Sequence, residues 1–179
     1  MIVLMVGLPG TGKSTVARAL AEEVGGVVLN KDDLRAELFP KEFVEYSTEQ
    51  DDFVQELMLR TAEYLLTRYP KLIVFFDGRT FSRAYQIRRV IDAAEKLGTP
   101  WRILECVCAE KVAKGRIEHG KKHPAKNRTV GLYLKIRDEF EEMALPKLVV
   151  DTGGEMEAAM VAAREFLAGS GSGLDATAP

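Results

Sequence analysis

The chain has 179 residues, 46% hydrophobic and 29% charged, which suits one globular domain with a substantial core. A formal net charge of −2 and a pI near 5.8 exclude the overall electrostatic pull of a basic nucleic-acid-binding protein and leave only a local patch for such a role. The apolar start lacks a basic leader, no run approaches a membrane span, and Cys106 and Cys108 are the only cysteines, so a reducing, cytoplasmic setting is expected.

Ile2 to Val6 is a continuous apolar run, the pattern of a strand buried on both faces. It leads directly into Gly7, Leu8, Pro9, Gly10, Thr11, Gly12, Lys13, Ser14 and Thr15, which spell G-x-x-x-x-G-K-[ST] between a strand and an amphipathic helix expected from Lys13 to about Val24. Gly7, Gly10 and Gly12 permit backbone dihedrals closed to other residues and keep side chains away from a phosphate. The resulting ring of N–H groups opens into a helix N-terminus that favours anions. Lys13 is expected to reach the β- and γ-phosphates of ATP and the Ser14 hydroxyl to ligate Mg²⁺, with Pro9, Thr11 and Thr15 completing the nucleotide-binding stretch.

Val27 to Asn30 reads as a second strand, running into the polar cluster Asn30-Lys31-Asp32-Asp33-Leu34-Arg35 at a helix start. A carboxylate here can accept the proton of an attacking hydroxyl. An arginine three residues later shares its helical face and can hold an anionic group. Asp also favours a helix N-terminus for capping alone. Phe39 and Pro40 break this helix, and Ser47 to Glu49 predict a capped start for a longer one through about Arg68, with Phe53, Leu57, Leu59, Tyr64 and Leu65 expected as its packing face.

Leu72 to Phe76 predicts a third strand ending at Asp77, a residue suited to supporting Mg²⁺ through water, orienting Arg35 or Arg79, or capping the next helix. A helix from about Ser82 to Leu97 follows, with Arg88 and Arg89 on a solvated face, and then a strand from Trp101 to Cys108 in which both cysteines are expected as core residues. From Lys111 to Arg128 the chain is strongly basic, and Gly120, Pro124 and Asn127 predict a mobile loop flanked by helices. His119 and His123 are spaced as a helical metal pair, but Gly120 intervenes and no third ligand is evident. A helix from Val130 to about Met143, a strand from Leu148 to Val150, a final helix to about Leu167 and a Gly/Ser tail from Gly169 complete the chain. Strands alternate with helices throughout, predicting a three-layer α/β domain over residues 1–168 around a mainly parallel sheet. Ligands in such sheets bind at strand C-termini, where Gly7, Asn30, Asp77 and Asp151 lie.

On these residues the chain resembles P-loop kinases of the polynucleotide kinase, zeta-toxin and chloramphenicol phosphotransferase type, a group that includes AAA-type small kinases. The likeness rests on the Gly7 to Thr15 stretch, the Asp-Asp-x-Arg of Asp32 to Arg35, Asp77 at a strand end, and Arg116 in a basic lid of about residues 116–128. It implies the strand order 2-3-1-4-5, Asp32 as general base, Arg35 on substrate phosphate, and Arg116 near adenine or clamping phosphates. Two positions depart from the polynucleotide kinases: Asp77-Gly78-Arg79-Thr80 replaces their Asp-Thr-Asn, and the second lid arginine falls on Gly120, which leaves Lys121 or Arg128 to supply the charge. The expected activity is ATP- and Mg²⁺-dependent phosphoryl transfer to a hydroxyl of a small molecule or nucleoside. The alternatives are a polynucleotide 5′-hydroxyl acceptor, and a nucleotide-dependent switch that binds a partner. Asn30-Lys31-Asp32-Asp33 resembles a guanine-specificity motif only formally, since it follows the second strand, too early in the chain.

Overall fold

The computed structural model describes residues 1–120 and 127–169. Five parallel strands form one sheet in the order β2-β3-β1-β4-β5, from β1 (Ile2–Val6), β2 (Val27–Asn30), β3 (Val74–Asp77), β4 (Trp101–Val107) and β5 (Leu148–Asp151). The helices are α1 (Lys13–Val24), α2 (Lys31–Leu38), α3 (Thr48–Arg68), α4 (Ala84–Lys96), α5 (Glu110–His119), α6 (Val130–Asp138) and α7 (Met156–Ala168). None of the described helices is long and apolar enough to cross a membrane.

β1 lies at the centre of the sheet, and every one of its side chains is buried, so its unbroken apolar run has a direct cause. Alternation divides that run between two cores. Ile2, Leu4 and Val6 pack with Val54, Met58 and Ala62 of α3 and Ile87, Val90 and Ile91 of α4, while Val3 and Met5 pack with Val16 and Leu20 of α1 and Met160 and Leu167 of α7. The register pairs Asn30 with Asp77 at neighbouring C-terminal ends, next to the end of β1, where the Gly-rich loop begins.

The structure corrects several boundaries and faces. In α3 the buried apolar residues are Val54, Met58, Leu59, Ala62 and Leu66, whereas Phe53 and Tyr64 are exposed and Leu57 and Leu65 half-buried. Polar Gln50 and Gln55 occupy inward positions of this helix, so a count of apolar letters selects a neighbouring stripe. α6 stops at Asp138 rather than near Met143; the chain turns there, and the Glu141 amide donates to the Ser82 carbonyl at 2.9 Å. Cys106 is buried in β4 with its thiol pushed up to about 12 by desolvation, but Cys108 lies beyond the strand and is only half-buried. His119 is exposed at the end of α5, its Nδ1 2.7 Å from the Gly115 carbonyl. Lys121, Lys122, His123, Pro124 and Lys126, and the tail from Ser170, lie outside the described residues.

Candidate active site

The Gly-rich loop joins β1 to α1, and its glycines face the protein as much as any ligand. Gly7 has φ +135°, and a Cβ there would meet the Cys106 carbonyl oxygen at 2.3 Å; Gly10 has φ +85°, and its Cβ would meet the Ala113 carbonyl oxygen at 2.5 Å. The loop therefore lies flat against β4 and α5 in a conformation that L side chains avoid. Lys13 Nζ donates to the carbonyls of Gly7 and Leu8, both at 2.8 Å, closing the ring. Burial pushes its pKa down, with Asp77 acting in the opposite direction. Pro9, Gly10, Gly12, Lys13, Ser14 and Thr15 line a cavity of about 780 Å³. Gly7 and Thr11 stand behind it, and Thr11 Oγ1 donates to the Leu8 carbonyl at 2.8 Å.

Asn30 caps α2, its Oδ1 accepting from the Asp32 and Asp33 amides at 2.9 and 3.1 Å. Its Nδ2 donates to Asp77 Oδ2 at 2.6 Å, a contact that follows from the β2–β3 register. The cap thus fixes where Asp32 enters the cavity. Arg35 Nη1 donates to Asp32 Oδ1 at 3.0 Å and Lys31 Nζ lies 3.5 Å from the same oxygen. Asp51, from α3, pairs with Lys31 Nζ at 2.8 Å and with Arg35 Nη2. Arg35 and Lys31 both reach Asp32 through Oδ1, in a residue that lines the cavity, and among the described residues Oδ2 has no protein partner. The Lys31 ammonium is pushed down to about 8, chiefly by burial, with Asp32 partly restoring it. Asp33 points elsewhere, pairing with Arg18 at 3.5 Å on the surface.

Asp77 is fully buried at the end of β3, and its Oδ1 has no hydrogen-bond partner among the described residues. Neither Arg35 nor Arg79 forms an ion pair with it: Arg79 Nη2 pairs with Asp52 Oδ1 at 2.7 Å, and Nη1 donates to Gln55 Oε1 at 2.5 Å. Asp77, with this buried and unpartnered oxygen, lines the same cavity as Lys13 and Ser14, a donor set whose chemistry would suit Mg²⁺.

Arg116 does not line this cavity. Its Nη1 donates to Thr152 Oγ1 at 2.9 Å and to the Gly10 carbonyl at 3.4 Å, and its Nη2 donates to the Thr152 carbonyl at 2.8 Å. Thr152 Oγ1 in turn donates to the Thr11 carbonyl at 2.8 Å. Arg116 and Thr152 thus clamp the back of the phosphate loop to the end of β5. Arg128 lies on the cavity side instead, within the electrostatic reach of Asp32 and Lys13, its pKa lowered by burial. A Cβ on Gly120 would come 3.3 Å from Arg128 Nη1. Arg88 pairs with Asp92 and Glu95 and Arg89 with Glu56, on the outer surface.

Reading the sequence missed Asp51, Asp52, Gly78 and Thr152. The two acids stand on the inward side of α3 at one and two turns before Gln55 and Met58, a stripe that the polar inward positions conceal. Gly78 and Thr152 each directly follow a strand end, and position in the sheet was their one available signal.

Residues 2–139 match the family AAA_33, described as an AAA domain. No curated protein matches the chain in sequence. Among solved structures, the APS kinase CysC of Mycobacterium tuberculosis in complex with AMPPNP and APS is 16% identical with a TM-score of 0.68, covering 94% of this chain and 97% of that one. Kti12 of Chaetomium thermophilum in complex with ADP-AlF3 is 15% identical with a TM-score of 0.67 over the whole of both chains. A gluconokinase of Sinorhizobium meliloti is 17% identical with a TM-score of 0.63, covering 93% and 94%. All three are under 25% identical, so they are likenesses of fold alone. The family match spans well over half of the sequence, and the chain therefore belongs to the AAA domain family AAA_33.

Proposed function

We propose that this chain is a cytoplasmic kinase that transfers the γ-phosphoryl group of ATP, with Mg²⁺, to a hydroxyl of a small molecule or nucleoside. The observation that carries the reading is Asp32, whose carboxylate is gripped through one oxygen by Arg35 and Lys31 in the same cavity as Lys13 and the phosphate loop. The fold neighbours include an APS kinase and a gluconokinase, which supports phosphoryl transfer as the chemistry. The finer assignment to the polynucleotide kinase and zeta-toxin group rests on Asp32, Arg35 and Asp77.

The loop amides and Lys13 hold the phosphates, and Asp32 Oδ2 accepts the proton of the acceptor hydroxyl as its oxygen attacks the γ-phosphorus and ADP departs. Arg35 acts as a positioning residue, since Asp32 and Asp51 occupy its guanidinium. Arg116 holds the loop from behind, and Arg128 lines the cavity. Ser14 and Asp77 would hold Mg²⁺, which would supply neutralisation of phosphate charge.

Asp32→Asn tests this directly, because the amide oxygen can still accept from Arg35 while the proton acceptor is lost. Turnover of labelled ATP onto an alcohol is expected to fall roughly 10²- to 10⁴-fold with ATP affinity kept. Unchanged turnover would remove Asp32 from the mechanism. The same assay with 5′-hydroxyl oligonucleotides tests the polynucleotide alternative.

A further inference from the structure

Beyond the phosphate loop the cavity is floored by buried charges paired with one another, although Arg35 Nε and Nη2, Arg79 Nε, Asp51 Oδ1 and Asp52 Oδ1 make no hydrogen bond among the described residues. Lys31 is paired with Asp51 at 2.8 Å and Asp32 at 3.5 Å, Arg35 with Asp32 at 3.0 Å and with Asp51, and Arg79 with Asp52 at 2.7 Å. Three cations thus stand against three carboxylates, Asp32, Asp51 and Asp52, and the fully buried Asp77 adds a fourth acid to the lining of the same cavity. At the rim Arg83 lies between Glu139 at 2.7 Å and Glu141 at 3.4 Å, one cation against two acids. Among the described residues that line the cavity, the cations without a carboxylate partner are Lys13, Arg128 and Lys135. Lys13 and Arg128 belong to the phosphate-loop end, and Lys135 is an exposed side chain of α6.

A pocket for a phosphate, sulfate or carboxylate presents guanidinium or ammonium groups with open donor faces. Here the donors of Arg35 and Arg79 that lack hydrogen bonds are buried beside Asp51 and Asp52, so an anion that reached them would have to displace those carboxylates and then face them. What the cavity wall does offer is hydroxyls and an amide from Thr48, Ser82, Gln86 and Tyr85, and Tyr46, whose ring stacks on the Arg35 guanidinium at 5.3 Å. Tyr46 and Tyr85 keep 38% and 47% of their surface exposed, which leaves aromatic area for the C–H face of a ring.

We propose, resting on the kinase reading above, that the acceptor is an electrically neutral polyhydroxyl compound, a sugar, cyclitol or nucleoside, and that the Lys31–Asp32–Arg35–Asp51 and Arg79–Asp52 pairs select against acceptors that carry their own anionic group. The step is the one already written: the acceptor oxygen bonds the γ-phosphorus, the bond to ADP breaks, and the hydroxyl proton passes to Asp32.

The test uses the full chain, labelled ATP, Mg²⁺ and acceptors paired by charge: ribose with ribose 5-phosphate, inositol with an inositol monophosphate, glucose with gluconate, and nucleosides with their 3′-monophosphates. Within the pairs that react, kcat/KM for the neutral member is expected to exceed that of the anionic member at least tenfold. Asp51→Asn, which releases Arg35 from one carboxylate, is expected to narrow that ratio. Preferential labelling of the anionic members would overturn the inference and leave the kinase standing. Label on no alcohol of either charge, with ATP binding intact by calorimetry, would instead overturn the kinase reading on which the inference rests. The wild-type pairs decide the matter even if Asp51→Asn does not fold.

Discussion

Replacing Gly78 by alanine probes the joint between the two halves of the site. Gly78 follows Asp77 at φ +82°, and a Cβ there would stand 2.7 Å from the Lys31 amide nitrogen, 2.8 Å from Asn30 Oδ1 and 3.0 Å from the Asp32 amide nitrogen. Two costs combine. Holding a residue with a Cβ in the left-handed region costs about 1–2 kcal/mol, and contacts this short against backbone and a capping side chain force a displacement worth about 1–3 kcal/mol more. A loss of roughly 2–5 kcal/mol leaves a folded domain where the starting stability lies in the upper part of the usual 5–15 kcal/mol range. At about 2–4 °C per kcal/mol for a chain of this size, Tm is expected to fall by roughly 4–20 °C in calorimetry. The displaced groups are the Asn30 cap and the first turn of α2, so Asp32 moves while the phosphate loop does not. Turnover is therefore expected to fall at least tenfold, with ATP affinity within about threefold of wild type. An alanine variant with unchanged Tm and unchanged turnover would refute this account of why glycine follows Asp77.

Further outcomes follow from the same contacts. Lys13→Ala removes the ammonium that closes the loop at 2.8 Å from two carbonyls, and calorimetry is expected to show ATP binding weakened by at least tenfold. Thr152→Val keeps the shape but removes the hydroxyl that donates to the Thr11 carbonyl and accepts from Arg116, so unfolding by denaturant should show a loss of about 1–3 kcal/mol together with weaker ATP binding. Lys31 provides a pH test, since its folded pKa is pushed down to about 8 and an unfolded lysine titrates near 10.5. Between those values the unfolded chain binds more protons than the folded one, so stability conferred by Lys31 rises with pH across that window and is flat below about 8. Relative to Lys31→Gln, the wild type should gain up to about 3 kcal/mol from pH 8 to 10.5, and a difference that stays constant across the window would show that Lys31 is not depressed.

The sequence alone determined the donor half of this protein, because that half is local. The strand, the loop and the first turn of α1 are consecutive, the glycine spacing enforces a loop conformation, and Lys13 and Ser14 follow at fixed offsets. The strand alternation likewise announced a parallel α/β sheet, since buried parallel strands must be apolar on both faces. Asp77 was legible as a strand-end acid, Asn30 as the end of β2, and Asp32 as an acid in the helix start that follows it.

Tertiary structure decided how these acids are used. The β2–β3 register sets Asn30 beside Asp77, and α3 delivers Asp51 and Asp52 to Arg35 and Arg79 from residues 16 and 27 positions away in the chain. That pairing engages Arg35 with Asp32 and Asp51, which is why we propose it as a positioning residue. Arg116 and Arg128 show the same division: one basic segment contains both, and hydrogen bonds to Thr152 and Gly10 hold the first behind the loop while the second lines the cavity. Such assignments depend on contacts between residues far apart in sequence, each with a solvent-exposed alternative that composition and spacing describe equally well.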